Sequence, residues 1–302
     1  MSTKIDRRDF VQAGLAGAAL LATGLDLRAA ETRKPKLKKA VKYAMIGTGK
    51  TIKEKFELIK RLGFEGVEID TPKGLPDRVE LMTARDETGI VIHGAIDSVH
   101  WDENYRLSSP DAAARARGLA ALKAGLHDAA FIGATTLLLV PGVVDDKVTY
   151  EQCFERSQAE VKKAIPLAEK LGVKIAIECV WNNFITKPEQ MIEYVDSFKS
   201  PWVGTYMDCS NMIKYGVPSA DWIRKLGKRV LKFDFKGFSL AKFKKGENPW
   251  VGIGEGEENW PDIIKALGEV GYDGWATAEV GSGGEAHLKD VAERMNKVLE
   301  LS

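Results

Sequence analysis

"AEKLGVKIAIE" (Ala168–Glu178) holds a helix end, a turn and a strand in one short run. Ala168–Leu171 are strong helix formers, and Gly172 supplies the left-handed residue that closes a helix. Val173–Ile177 is an apolar, β-rich run that stops at Glu178. Upstream, "TYEQCFERSQAEVKKAIPLAEKLG" (Thr149–Gly172) is amphipathic at helical spacing. The same order recurs along the chain. Strand-like runs lie at "KYAMIG" (from Lys42), "GVEID" (Gly66), "IVIHG" (Ile90), "TTLLLVPG" (Thr135), "VKIAIEC" (Val173), "VGTYMDC" (Val203), "RVLKFDF" (Arg229) and "GWATAEV" (Gly274). Helical stretches such as "TIKEKFELIKRLGF" (Thr51–Phe64) and "DAAARARGLAALKAGLHDAAFIG" (Asp111–Gly133) alternate with them.

Strict alternation implies parallel strands joined by helical crossovers. Eight units in roughly 260 residues is the size of a single-domain (β/α)8 TIM barrel. The alternative is a doubly wound open sheet. Against it, "GTGKT" (Gly47–Thr51) has neither the dinucleotide-binding nor the P-loop glycine spacing. The barrel is expected over residues 42–302.

The N-terminal segment reads differently. "DRRDF" (Asp6–Phe10) precedes an apolar stretch from Val11 to Leu25, and "LRAAE" (Leu27–Glu31) supplies small residues at a cleavage point. That pattern is a secretory signal over residues 1–30, of the twin-arginine type that exports folded proteins. A periplasmic protein is expected. The basic run "TRKPKLKKAVK" (Thr32–Lys42) reads as a solvated linker, residues 31–41. No later apolar run is long enough to span a bilayer, so the mature chain is expected to be soluble. With 44 basic and 43 acidic residues, net charge +1, no global field favours nucleic acid or an anionic membrane. Homo-oligomerisation is left open. Cys153, Cys179 and Cys209 are odd in number and lack CxxC spacing, so neither a disulfide framework nor a cysteine metal site is indicated, and Cys179 and Cys209 read as buried small residues.

Active groups in such barrels lie at the C-terminal ends of the strands. Four consecutive runs end in acids: Glu178, Asp208, Asp234 and Glu279. "VLKFDFKGF" (Val230–Phe238) alternates, with Phe233 and Phe235 on one face and Lys232, Asp234 and Lys236 on the other. It is expected to be half buried, with its polar face at the barrel mouth. Like charges at 4 Å cost about 4 kcal/mol per pair at an effective dielectric near 20. Protons or a cation must neutralise them, and an all-oxygen set suits Mn²⁺ or Mg²⁺. Any single acid also reads as a helix cap or a partner of Lys232 or Lys236.

The ordered series "IAIECVWNNF", "PWVGTYMDCSN", "IRKLGKRVLKFDFKGF", "WVGIGEGEENW" and "GYDGWATAEV", with "RLGFEGVEI" and "LSSPDAAARARGLAALKAG" upstream, resembles the xylose isomerase-like sugar isomerase/epimerase superfamily. The resemblance covers Lys42 to Leu301. It implies a divalent metal, Mn²⁺ above all with Mg²⁺ or Co²⁺ as alternatives, held by Glu178, Asp208, Asp234 and Glu279. Asp234 stands where the family's metal histidine is expected, and Asn211 replaces a second family histidine. The set carries one negative charge more than the common one; the alternatives are that Lys232 or Lys236 offsets it, that one acid holds a proton, or that Asp234 does not ligate.

The resemblance further implies proton transfer between adjacent sugar carbons through an enediolate. Glu178 and Glu279 would act as acid and base on the two faces of the substrate, with their pKa values pushed apart. Lys236 would steady the oxyanion. His100 and Trp101, and Trp181 with Asn182, are candidate sugar contacts, though each also reads as an ordinary loop residue. Glu68, ending the second strand at the rim, is a further substrate-contact candidate. Glu255 in "GIGEGEENW" is a rim residue; His127 and His287 read as structural. An exported member would handle a non-phosphorylated sugar or glycoside. The rivals are a 3-keto-glycoside lyase or hydrolase using the same metal and Glu pair, a metal-dependent endonuclease, disfavoured by the neutral charge, and a non-catalytic sugar-binding barrel.

Overall fold

A computed structural model of the chain describes residues 33–300, so the expected signal segment lies outside the described residues. Eight strands, β1 (Leu37–Lys42), β2 (Gly66–Thr71), β3 (Val91–Asp97), β4 (Thr136–Leu139), β5 (Lys174–Glu178), β6 (Val203–Asp208), β7 (Val230–Phe235) and β8 (Gly274–Ala278), pair in parallel in chain order. Leu37–Val41 pair with Gly274–Ala278 and close the barrel. The helices are α1 (Ile52–Arg61), α2 (Arg78–Thr88), α3 (Ala112–Ile132), α4 (Tyr150–Leu171), α5 (Pro188–Asp196), α6 (Ser219–Leu226), α7 (Leu240–Lys244), α8 (Trp260–Glu269) and α9 (Glu285–Glu300). No helix among the described residues is long and apolar enough to cross a membrane.

Local signals explain the boundaries. Thr51 and Glu54 form a reciprocal capping box on α1, as do Thr149 and Gln152 on α4. Gly172 closes α4 at φ 70°, a conformation that costs a side-chain-bearing residue.

One boundary is corrected. The first strand is Leu37–Lys42, inside the stretch read as a linker, and Tyr43–Met45 form a single 3₁₀ turn. Three lysines in "LKKAVK" made this segment look solvated, but pairing on both sides, to β2 and β8, overrides that preference.

The apolar core lies mainly between strands and helices. It includes Phe56, Ile59, Leu126, Tyr194, Trp222, Phe233 and Phe235, all essentially inaccessible. Each such side chain contributes about 2–3 kcal/mol of burial. Inside the barrel the apolar cluster is small, Leu138, Ala176 and Tyr206 against Ile96 and Leu231. The β7 strand is therefore not half wet as expected. Lys232 is 3% exposed and Asp234 0%, so its polar face is buried too. The three cysteines are free, and Cys179 and Cys209 are buried as expected, as is Cys153.

Candidate active site

The strand ends bring the four predicted acids together. Glu178 closes β5, Asp208 closes β6, Asp234 is next to last in β7, and Glu279 follows β8 directly. One carboxylate oxygen from each lies within 4.8 Å of all the others. Asp208 is fixed by its own turn, its Oδ1 accepting the backbone N–H groups of Ser210 (2.6 Å) and Asn211 (2.9 Å). Asn211 Nδ2 reaches to 3.5 Å from Glu178 Oε1.

Two lysines oppose these acids. Lys42, from β1, places Nζ 2.8 Å from Glu68 Oε2 and 2.9 Å from Asp234 Oδ2. Lys236, just past β7, lies 2.7 Å from Glu279 Oε2 and 3.3 Å from Asp208 Oδ2. The Tyr206 hydroxyl is 2.8 Å from Asp234 Oδ1 and 3.0 Å from Glu68 Oε2, and its one proton serves either. The anticipated offset of charge thus comes from Lys42 and Lys236. Lys232 instead packs deeper in the barrel, on the Nδ1 and carbonyl oxygen of His93, which stacks on Trp275.

Burial pushes the Glu178 carboxyl well above its ordinary pKa, and Glu279 adds to the push. For Glu279 burial also raises the pKa, but Lys42 and Lys236 outweigh it and hold the group down at about 2. Two glutamates facing one space are thus driven in opposite directions. Burial likewise raises Asp208 and Asp234, against Lys236 and Lys42 respectively.

The residues fit a divalent cation. Glu178, Asp208, Asp234 and Glu279 bring four carboxylates to one point, directly opposed only by the ammonium groups of Lys42 and Lys236. Asp234 Oδ2 is buried with no hydrogen-bond donor, the nearby Lys42 being poorly aligned. Hard carboxylate oxygens suit a hard or borderline divalent metal.

A pocket of about 250 Å³ opens above this cluster. Its polar wall includes Lys42, Glu178, Lys236 and Glu279, and its aromatic wall His100, Trp101, Trp181 and Trp250. His100 Nδ1 accepts the Val140 N–H at 3.3 Å, which leaves the ring proton on Nε2. Burial, with Lys42 nearby, holds this ring neutral, its pKa pushed down to about 3. Trp181 stacks on Trp250 at 5.0 Å between centroids, and its Nε1 donates to the Asn211 carbonyl (3.2 Å).

Three expectations are corrected. Asn182 is buried away from the pocket. It donates to the Gly142 carbonyl (2.8 Å) and accepts from the Phe184 N–H (3.2 Å), tying the loop after β5 to that after β4. Glu68 is the third of six residues in β2, not its last, and lies enclosed in the barrel, held by Lys42 and Tyr206. Glu255 is outside the pocket and pairs with Arg294 at 2.8 Å.

Lys42, Tyr206, Trp250 and Glu258 were not anticipated. Lys42 was hidden by the misplaced first strand. Tyr206 is the inward residue two before Asp208, so the period-2 rule points to it. Glu258 is buried, accepts from Ser210 Oγ (2.6 Å) and the Phe238 N–H (2.7 Å), and so braces the turn behind Asp208. Trp250 arrives through the excursion after β7. Phe238 and Trp250 pair as an antiparallel bridge, and the Val251 N–H donates to the Gly237 carbonyl (3.0 Å). A Cβ on Gly237 would lie 2.4 Å from the Gly252 carbonyl oxygen, so only glycine admits this crossing.

Among solved structures, the fold is similar to a zinc-bound IolI protein (18% identical, TM-score 0.74, covering 87% of this chain and 98% of that one). It is similar to an L-ribulose 3-epimerase (16%, TM-score 0.72, 87% and 95%). It is also similar to a 3-keto-D-glucoside 4-epimerase, YcjR, from E. coli (15%, TM-score 0.72, 87% and 99%). At these identities the likeness is one of fold. The sequence profile of the xylose isomerase-like TIM barrel family matches residues 56–300. With closed parallel barrel and family profile in agreement over most of its length, the chain belongs to the xylose isomerase-like TIM barrel family.

Proposed function

We propose that this protein is a divalent-metal-dependent sugar isomerase or epimerase that moves a proton beside a carbonyl through an enediolate. The observation that carries the reading is geometric: Glu178 and Glu279 line one pocket directly above the cluster of four carboxylates to which both belong. The epimerases among its structural neighbours support it. Glu178, Asp208, Asp234 and Glu279 would hold the metal, Mn²⁺ in our reading. A bound divalent ion polarises the substrate's carbonyl and hydroxyl oxygens.

Glu279, ionised and one-third exposed, takes the proton from the carbon next to the carbonyl. Glu178, which lines the same pocket, returns a proton to the opposite face, or to the neighbouring carbon in an isomerisation. The Lys236 ammonium steadies the negative charge that develops on oxygen between these steps. His100 Nε2–H is free of the Val140 bond and donates to a sugar hydroxyl, while Trp101 and Trp181 cover the apolar ring face. Export through the Arg7–Arg8 signal would bring the enzyme to a non-phosphorylated substrate, checked by periplasmic fractionation with Arg7→Lys/Arg8→Lys.

Purified protein supplied with Mn²⁺ and a free ketose in D₂O is expected to incorporate deuterium at the carbon next to the carbonyl. Glu279→Gln should lower that exchange at least about 10²-fold while the protein stays folded by circular dichroism. Exchange unaffected by the substitution would remove Glu279 from the mechanism. The second reading, a 3-keto-glycoside lyase using the same glutamates, is favoured by the cavity continuing past Trp250. It predicts reducing sugar released from a 3-keto-glycoside without exchange in the free ketose.

A further inference from the structure

A second cleft, of about 620 Å³, lies against the first, and the two share Lys236, Trp250 and Glu279 as a common wall. No step of the proton transfer uses the rest of its lining. The apolar part includes Val251, Ile253 and Val280, and the polar part His287, Asp290 and Arg294 from α9. The polar groups are ordered rather than loose. Arg294 Nε donates to Asp290 Oδ2 at 2.6 Å, and its Nη1 lies 2.8 Å from Glu255. His287 Nε2 lies 2.8 Å from the Gly281 carbonyl, which only accepts, so the proton sits there and Nδ1 is left as an acceptor.

The pocket over the carboxylates, at about 250 Å³, is below the roughly 300–1,000 Å³ usual for small-molecule sites. The adjoining cleft is more than twice as large. An apolar floor beside a few fixed donors and acceptors is what a pyranose ring requires, apolar on its faces and hydroxylated at its edge. Trp250, 38% exposed, stands between the two spaces.

We infer that the cleft is a subsite for a second ring, and that the substrate is a keto-sugar carrying a glycosidic substituent rather than a free monosaccharide. The reacting ring sits over Glu178 and Glu279, and the substituent passes Trp250 to lie along Val251, Val280 and His287. This assignment rests on the proton-transfer reading of the mouth.

The test compares one-ring and two-ring substrates in the metal-supplied full chain. Two pairs are used: D-fructose with 6-O-glucosyl-D-fructose, and 3-keto-glucose with a glucosyl 3-keto-glucoside. In at least one pair the two-ring member is expected to react with kcat/KM at least about tenfold higher, the worth of one good ring contact. A Cβ at Gly281 meets no atom within 4 Å, so Gly281→Trp, its fold checked by circular dichroism, adds an indole to the cleft lining with no clash at its Cβ. With His287→Ala it should raise KM for the preferred two-ring substrate about tenfold and leave the one-ring rate within twofold. Equal kcat/KM within both pairs, or variants that slow both members alike, would overturn the subsite and leave the mouth chemistry standing. No reaction with any of the four compounds would overturn both.

Discussion

Lys42 Nζ lies 2.9 Å from Asp234 Oδ2, and both side chains are buried. The strand-7 acid therefore has an internal cation as its partner. Removing one member of a buried pair leaves an uncompensated charge, typically costing about 3–5 kcal/mol. Lys42→Met is expected to lose that much in urea unfolding, with Glu68 and Asp234 both stranded. Adding Asp234→Asn to Lys42→Met should recover part of the loss. A double variant no more stable than Lys42→Met alone would show that the pair is not coupled.

The carboxylate cluster predicts a protein whose stability depends on a divalent ion. Elemental analysis is expected to find one such ion per chain after Mn²⁺ is supplied. An ion at about 1,000 times its Kd adds about 4 kcal/mol to the folded state. Dialysis against EDTA should therefore lower Tm by several degrees, and Mn²⁺ should restore it. Asp208→Asn should abolish the restoration. A melting temperature indifferent to both treatments would argue against a metal centre.

Asp97 supplies a pH dependence away from the reacting groups. Burial lifts its carboxyl to about 7, only partly opposed by the Val99 N–H at 3.3 Å. Between its ordinary value of 3.8 and 7 the native protein holds a proton that the unfolded chain has released. This contribution to stability is complete below pH 3.8 and is lost as pH rises to 7, up to about 4 kcal/mol in all. Asp97→Asn keeps the uncharged form throughout. Relative to wild type it should gain about 3 kcal/mol between pH 5 and pH 8 in urea titrations. Parallel stability curves would mean that Asp97 is already ionised at pH 5.

Gly237→Ala tests the loop crossing. The added methyl meets the carbonyl oxygens of Val251 and Gly252, backbone atoms that cannot turn aside. Trp250 should move off Trp181, changing tryptophan fluorescence and lowering kcat/KM for the sugar by about tenfold or more. An unchanged spectrum would show that the excursion accommodates the methyl.

The legible parts of the sequence were those where one residue type forces one geometry. β-rich runs alternating with helical stretches located seven of the eight strands, and the acids that end four of them located all four clustered carboxylates. Lys42 was illegible because a lysine-rich strand looks solvated until its neighbours on both edges are known. Glu68 and Asn182 are the types a sugar site uses, but their distance along the strand or loop turns them to structural partners. Trp250 depends on a chain reversal whose only local sign is a pair of glycines, Gly237 and Gly252, far apart in sequence.

That reversal also separates two kinds of freedom. The Ser239 N–H donates to the Pro249 carbonyl (2.7 Å) just outside the crossing at Gly237, so the segment is pinched shut at its neck. Beyond the pinch, Phe243 packs back on Trp181 and Phe238, so the stretch that can lengthen or shorten at the small cost of a longer closed loop is the one after it, while the indole stays clamped. The barrel thus carries an interchangeable tip on a fixed mount. Grafting new tips onto residues 244–247 is the natural route to altered selectivity without rebuilding the cylinder beneath.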